Sequence, residues 1–136
     1  MLMQNFIHSI IVISKGIFMA EWMFDQSGQP KIILDNDTIR NKTGHLIAWI
    51  NDSGIYNLYG QHIGWYEGGV IYDNTSSVLA FIQNSSGYLP YKPSCAGSPG
   101  LPGFAGTPGK PGLSGTPGRP GTSGWSKHDV DKYLKS

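Results

Sequence analysis

Between residues 22 and 84 the apolar and polar positions repeat at a shift of 16 residues, so the chain aligns with itself before any element is assigned. One apolar column reads Met23, Ile39, Ile55, Ile71, and another, near each unit's end, reads Ile33, Trp49, Trp65, Phe81. The column just before that one, Ile32, Ala48, Gly64, Ala80, is small in three of four units, which predicts a crowded place where backbones approach closely. Two columns are turn chemistry: Asp25, Asn41, Asn57, Asp73, followed three residues on by Gly28, Gly44, Gly60 and Ser76. An Asx side chain can bond the backbone two residues ahead, and glycine tolerates a positive φ at the fourth position. The flanks, such as Ile63-Gly64-Trp65-Tyr66, are rich in β-branched and aromatic residues and too short between turn signals for helices. Second polar links, Asp35-Asn36-Asp37, Asn51-Asp52-Ser53-Gly54 and Glu67-Gly68-Gly69, start the next units.

The pattern predicts an all-β body of four 16-residue hairpins, about eight short strands over residues 21–88. A lone hairpin is marginal in water, so the four must pack together. The regular recurrence of Ile33, Trp49, Trp65 and Phe81 is met most simply by placing those side chains around a common pseudo-four-fold axis. An open solenoid is the competing geometry; it would leave two exposed ends, and no capping unit is visible.

Past a linker over residues 89–96 the period changes to three. Glycine falls at every third position from Gly97 to Gly124, with prolines 99, 102, 108, 111, 117 and 120 all in the third slot of the triplet. Such a Gly-X-Y tract over residues 97–125 reads as collagen-like, because three polyproline-II strands wound together leave room only for glycine at the axis. The competing reading is a single semi-rigid polyproline-II spacer. The end, Ser126 to Leu134, reads as a short helix with a capping-box-like Ser126 and Asp129 and an apolar face of Val130, Tyr133 and Leu134. It is too short to stand alone and must dock, on the hairpin body or on a partner chain.

The run from Gly60 to Asp73, with Asp35 to Asn41 before it, resembles the bacterial four-fold beta-flower family, and the similarity extends from about Glu21 to the C-terminus. The resemblance implies four hairpins about an axis and a Gly-Pro-rich tail, in proteins with no established activity, and it brings no catalytic or binding residues. Residues 1–18 depart from it.

Those first residues form an N-terminal extension, 1–20. Its apolar run Ile10 to Ile13 is interrupted by Lys15, follows no basic segment and precedes no small-x-small cleavage site, and it is shorter than the about 20 apolar residues that span a bilayer. The alternatives are a processed leader, an added strand or disordered lead, and a start at Met19. Charged residues are 14% and the net charge is +1, which supplies no basic field for nucleic acid. The single Cys95 excludes an internal disulfide framework but sits where an interchain disulfide could staple a trimer. No compartment is written in these residues. The cytoplasm is the default, and a surface or phage-associated location would suit a head on a stalk.

Candidate chemistry is sparse. His8, His45, His62 and His128 are scattered, and no phosphate loop, HExxH, CxxC or nucleophile elbow is present. No cofactor or metal is expected. The ring of Asp25, Asn41, Asn57 and Asp73 is better explained by turn formation than by cation binding. Trp49, Trp65 and Tyr66 offer a stacking platform for sugars or bases, although their sixteen-residue recurrence is more economically core; Glu67 is the one acidic residue among them and lacks a carboxylate partner for acid–base work. Two functions follow: a non-enzymatic structural or interaction protein, its rigid β head on a Gly-X-Y spacer or homotrimeric stalk, or a module binding a protein or glycan through repeat aromatics. Exposure of Trp49 and Trp65 would support the second, and burial would remove it.

Overall fold

The computed structural model describes residues 20–122 and 124–135; the leader and start-site expectations for residues 1–18 lie outside the described residues. The strands are β1 (Glu21–Phe24), β2 (Pro30–Asp35), β3 (Thr38–Arg40), β4 (Leu46–Asn51), β5 (Gly54–Tyr56), β6 (His62–Glu67), β7 (Val70–Tyr72) and β8 (Val78–Ile82), and α1 spans Val130–Lys135. Each strand pairs antiparallel with its sequence neighbour, and β1 pairs with β8, so the sheet closes into a barrel. Closure satisfies the edges that an open stack of four hairpins would leave unpaired.

The Asx and glycine columns build four equivalent turns. Gly28, Gly44 and Gly60 donate their N–H to the carbonyls of Asp25, Asn41 and Asn57, and Ser76 does so to Asp73, at 2.8 to 3.0 Å. The fourth turn residue has a positive φ in every unit, 80°, 89°, 86° and, at Ser76, 63°. In each unit the Asx Oδ1 accepts two further backbone N–H groups, as Asn41 does from Thr43 and His45. The other links are tighter, with Asn36 and Asp52 at φ 54° and 53°. A bulge recurs at Met23/Phe24, Ile39/Arg40, Ile55/Tyr56 and Ile71/Tyr72, adding the local twist a small barrel needs.

The interior differs from the expected one. Met23, Ile39, Ile55 and Ile71 are wholly buried and pair across strands with Ile32, Ala48, Gly64 and Ala80, so the crowded small column lies inside, opposite the bulky one. Burying each such isoleucine is worth about 1.5–3 kcal/mol. Ile33, Trp49, Trp65 and Phe81, one residue on, point the other way and do not surround the axis; they fall into two separate apolar clusters on the outer face. Strands with two apolar faces need cover on both, and the tail supplies the outer cover.

In the structure the tail is laid along the barrel across the four turns, and from Ala96 onward its backbone bonds to the body. The C-terminal helix docks on the body, with Leu134 fully buried and Val130 4% exposed in the inner cluster. It begins at Val130 rather than at Ser126. Tyr133 N–H bonds to Asp129 O, while Ser126 Oγ is committed to Asp73 Oδ2 at 2.6 Å instead of capping the first turn. Among the described residues no helix is long and apolar enough to cross a membrane.

Candidate functional site

The surface that carries specific chemistry is the contact between the barrel's outer aromatics and the tail. Three tail amides, Ala96, Ala105 and Ser114, donate to the carbonyls of Gly28, Gly44 and Gly60 at 2.8, 3.1 and 3.0 Å. The donors are nine residues apart and the acceptors sixteen, so three triplets of the tail span one hairpin. Proline has no N–H, and these third-slot positions are where the tract breaks its proline habit. The approach at each turn is close: a Cβ on Gly28, Gly44 or Gly60 would stand 1.9, 2.1 or 2.0 Å from a tail carbonyl oxygen, that of Ser94, Gly103 or Gly112. Glycine is thus required there both by its φ and by the belt on top of it.

Between these stations the side chains alternate barrel and tail donors. Trp22 and Trp65 each donate an indole N–H to a proline carbonyl, of Pro99 and Pro117, at 2.8 Å. Indole donors against proline carbonyls are the chemistry of aromatic grooves that recognise proline-rich segments. At the second station Arg40 of the barrel bonds Gly44 O and Ala105 O, reaches Thr107 Oγ1 and lies over the Phe104 ring, its Nε 3.2 Å from Asp35. At the fourth turn, that of Asp73 and Ser76, the direction reverses: Arg119 of the tail pairs with Glu67 at 2.9 Å, bonds Ser76 Oγ and lies over the Tyr72 ring at 4.1 Å. Thr116 meets the Tyr56 hydroxyl. Val78 and Gly124 to Ser126 then form a short parallel bridge onto β8.

The residues expected to form a stacking platform are dispersed by this arrangement. Trp49 and Trp65 are 5% and 4% exposed, in different clusters beneath the tail, so the open aromatic surface that a sugar would need is covered. Tyr66 faces the inner cluster, and its hydroxyl is pushed up first by burial and then by the Glu21 charge. Glu67 is the acceptor for Arg119. The oxygens of Asp25, Asn41, Asn57 and Asp73 hold their own turns, and among the described residues no group of three or more His, Cys, Asp or Glu is placed to hold a metal ion. Cys95 is a free, half-buried thiol packed against the Trp22 and Ile33 cluster. The sequence reading missed Trp22, Arg40 and Arg119; the nine-residue spacing of the non-proline third slots was the signal that could have found the belt.

Two titrating groups are tied to this contact. Burial between the Tyr56 and Trp65 rings pushes the His62 imidazole down, against the opposing effect of the Gly64 backbone. For Asp73, burial alone would raise the carboxyl, but the bonds from Ser126, Ser77 and Thr75 outweigh it and hold the group below its ordinary value. A depressed carboxyl contributes stability that is present above its unfolded pKa, about 3.9, and is lost as pH falls through the lower folded value. Thermal midpoints measured from pH 5 down to pH 2 are therefore expected to fall, and Ser126→Ala is expected to flatten that fall while lowering the midpoint at pH 7. Equal acid sensitivity in both chains would show that the Asp73 bond contributes nothing.

The comparisons with known proteins agree with the geometry in extent. A family model described as "4-fold beta flower protein" matches residues 21–134, from the first strand through the belt to the C-terminal helix. No curated protein and no solved structure matches the chain.

Proposed function

We propose, from the premise that this chain belongs to the 4-fold beta flower family, that it is a non-enzymatic structural or interaction module: a rigid barrel whose outer aromatic girdle exists to hold a polyproline-II strand. The observation that carries this reading is the matched register, three belt amides nine residues apart on three turn carbonyls sixteen apart, with Trp22 donating to the Pro99 carbonyl after the first amide and Trp65 to the Pro117 carbonyl after the third. Held this way, the tail is part of the rigid body, and what the module displays to a partner is its turn tips and belt. Tyr59, 80% exposed at the third tip beside Leu58, is the most prominent of these side chains.

The test is amide hydrogen exchange on the whole chain. Ala96, Ala105 and Ser114 are expected to exchange with the slow strand amides of the barrel, since each is bonded to a turn carbonyl. Exchange as fast as in an unstructured Gly-Pro peptide would overturn the reading.

One observation favours a second reading, a homotrimeric stalk. A Cβ placed on any glycine from Gly97 to Gly124 would meet nothing within 4 Å, so the belt itself does not demand glycine at every third position, whereas a triple helix does. Sedimentation equilibrium separates the two: a monomer supports the belt, and a trimer that dissociates on deleting the Gly-X-Y segment supports the stalk.

A further inference from the structure

We infer that the belt groove is a phase-selective polyproline-II site able to take a strand from another molecule, and that its occupant in trans is the tail of a second copy of this chain, exchanged between barrels. The inference rests on the reading above and carries it from a covering within one chain to a binding site.

Three observations support it. The tail from Ala96 to Thr122 meets the barrel on its outer face, and only α1 beyond it, through Val130 and Leu134, enters the inner cluster. The groove also selects its strand. An N–H is needed every nine residues, which a tract with proline in each third slot cannot supply, and Phe104, Thr116 and Arg119 meet Arg40, Tyr56 and Glu67 at single stations. A strand with all of these marks in this order is the tail of another copy, which is why the second copy and not an unrelated Gly-Pro segment is the occupant.

The third observation is an unsatisfied donor in the groove. Trp49 stands in the same repeat column as Trp65, and nine residues before Pro117, the acceptor of Trp65, the strand carries Pro108. Lys110 of the strand lies over the Trp49 ring at 5.7 Å. Yet Trp49 Nε1 is buried without a hydrogen-bond partner among the described residues. A buried donor left unpaired is unfavourable, so the strand held in cis leaves one station incomplete. Exchange of a segment between identical chains is a low-cost route to oligomers, opposed here by the high effective concentration of the chain's own tail.

The test weakens the resident tail without touching the groove. In full-length chain carrying Arg119→Ala, the tail loses its pair with Glu67 and its stack on Tyr72, while the barrel keeps every groove residue. A fluorescent peptide of residues 94–126 is expected to bind this chain saturably and roughly tenfold more tightly than it binds the unmodified chain. The same peptide with Ala105→Pro and Ser114→Pro is expected not to bind. Should Arg119→Ala fail to fold, two differently tagged unmodified chains, mixed with warming and cooled at high concentration, give the readout, with co-purification of the tags expected. Peptide that binds neither chain, or tags that never co-purify, would overturn exchange in trans while protected tail amides left the belt standing. Unprotected tail amides would overturn both. A proline-substituted peptide that binds equally well would overturn the nine-residue phase.

Discussion

Replacing Gly44 with alanine is expected to cost about 3 kcal/mol, whereas the same change at Gly106 should leave stability within about 0.5 kcal/mol. At Gly44 two penalties combine. The φ of 89° is strained for any residue with a Cβ, and the new carbon would stand 2.1 Å from the Gly103 carbonyl oxygen, a backbone atom that can retreat only by lifting the belt. Lifting it there also threatens the Ala105 N–H bond to Gly44 O and the Arg40 bonds to Gly44 and Ala105. Gly106 has no left-handed φ and no atom within 4 Å of a Cβ, so alanine fits and even trims unfolded-state entropy. Thermal melts check both, with a drop of roughly 12 °C expected for Gly44→Ala and almost none for Gly106→Ala. The pair also discriminates architecture. In a triple helix the tract glycine is the intolerant one, because only glycine fits the axis. A large loss at Gly106 with tolerance at Gly44 would therefore overturn the belt in favour of the stalk.

The features legible in the chain were those fixed within one repeat. Asx and glycine three apart specify a turn through bonds to their own neighbours, so the four turns and the sixteen-residue unit followed from local chemistry, while closure was read from the lack of any capping unit. The direction of the aromatic column did not. Alternation marks an inside and an outside only when one face meets water. From Leu46 to Ile50 every residue is buried, with Ile47, Ala48 and Ile50 in the inner cluster and Leu46 and Trp49 under the tail. The belt was hidden for a different reason. Gly-X-Pro periodicity specifies polyproline II and nothing about its partner, since the strand bonds equally well to two other such strands or to an aromatic groove. The distinction lay in Ala105 and Ser114, two third-slot residues that matter for having an N–H rather than for their side chains. Arg40 was illegible because it occupies a column otherwise filled by Phe24, Tyr56 and Tyr72, and only the facing Phe104 shows why a guanidinium can replace a ring there.

A chain ended after Pro93 should not yield the independent head that a stalked molecule would leave behind; it should lose most of its stability. The belt covers Trp22, Trp65 and Phe81 in one cluster and Trp49 and Tyr56 in the other, all 7% exposed or less in the whole chain. Uncovering even part of five such aromatics, together with losing Val130 and Leu134 from the inner cluster, forfeits on the order of 5–10 kcal/mol, comparable with the whole stability of a domain. The exposed girdle would then be a contiguous apolar band on a small barrel, a surface that drives association. Stepwise truncation divides the effect. Ending after Ser126 removes α1 and the three residues before it, with the buried Val130 and Leu134 and the Tyr133 hydroxyl that meets Asn74 N–H and Ile63 O, and an expected loss of about 3 kcal/mol should leave a folded monomer. Ending after Pro93 should give insoluble or self-associated protein with no cooperative urea transition. Urea melts and sedimentation of the two truncations read these outcomes directly. A soluble monomer ending at Pro93 with the urea midpoint of the full chain would overturn the belt, because it would show that the aromatic girdle needs no cover and that the Gly-X-Y segment is free to work elsewhere.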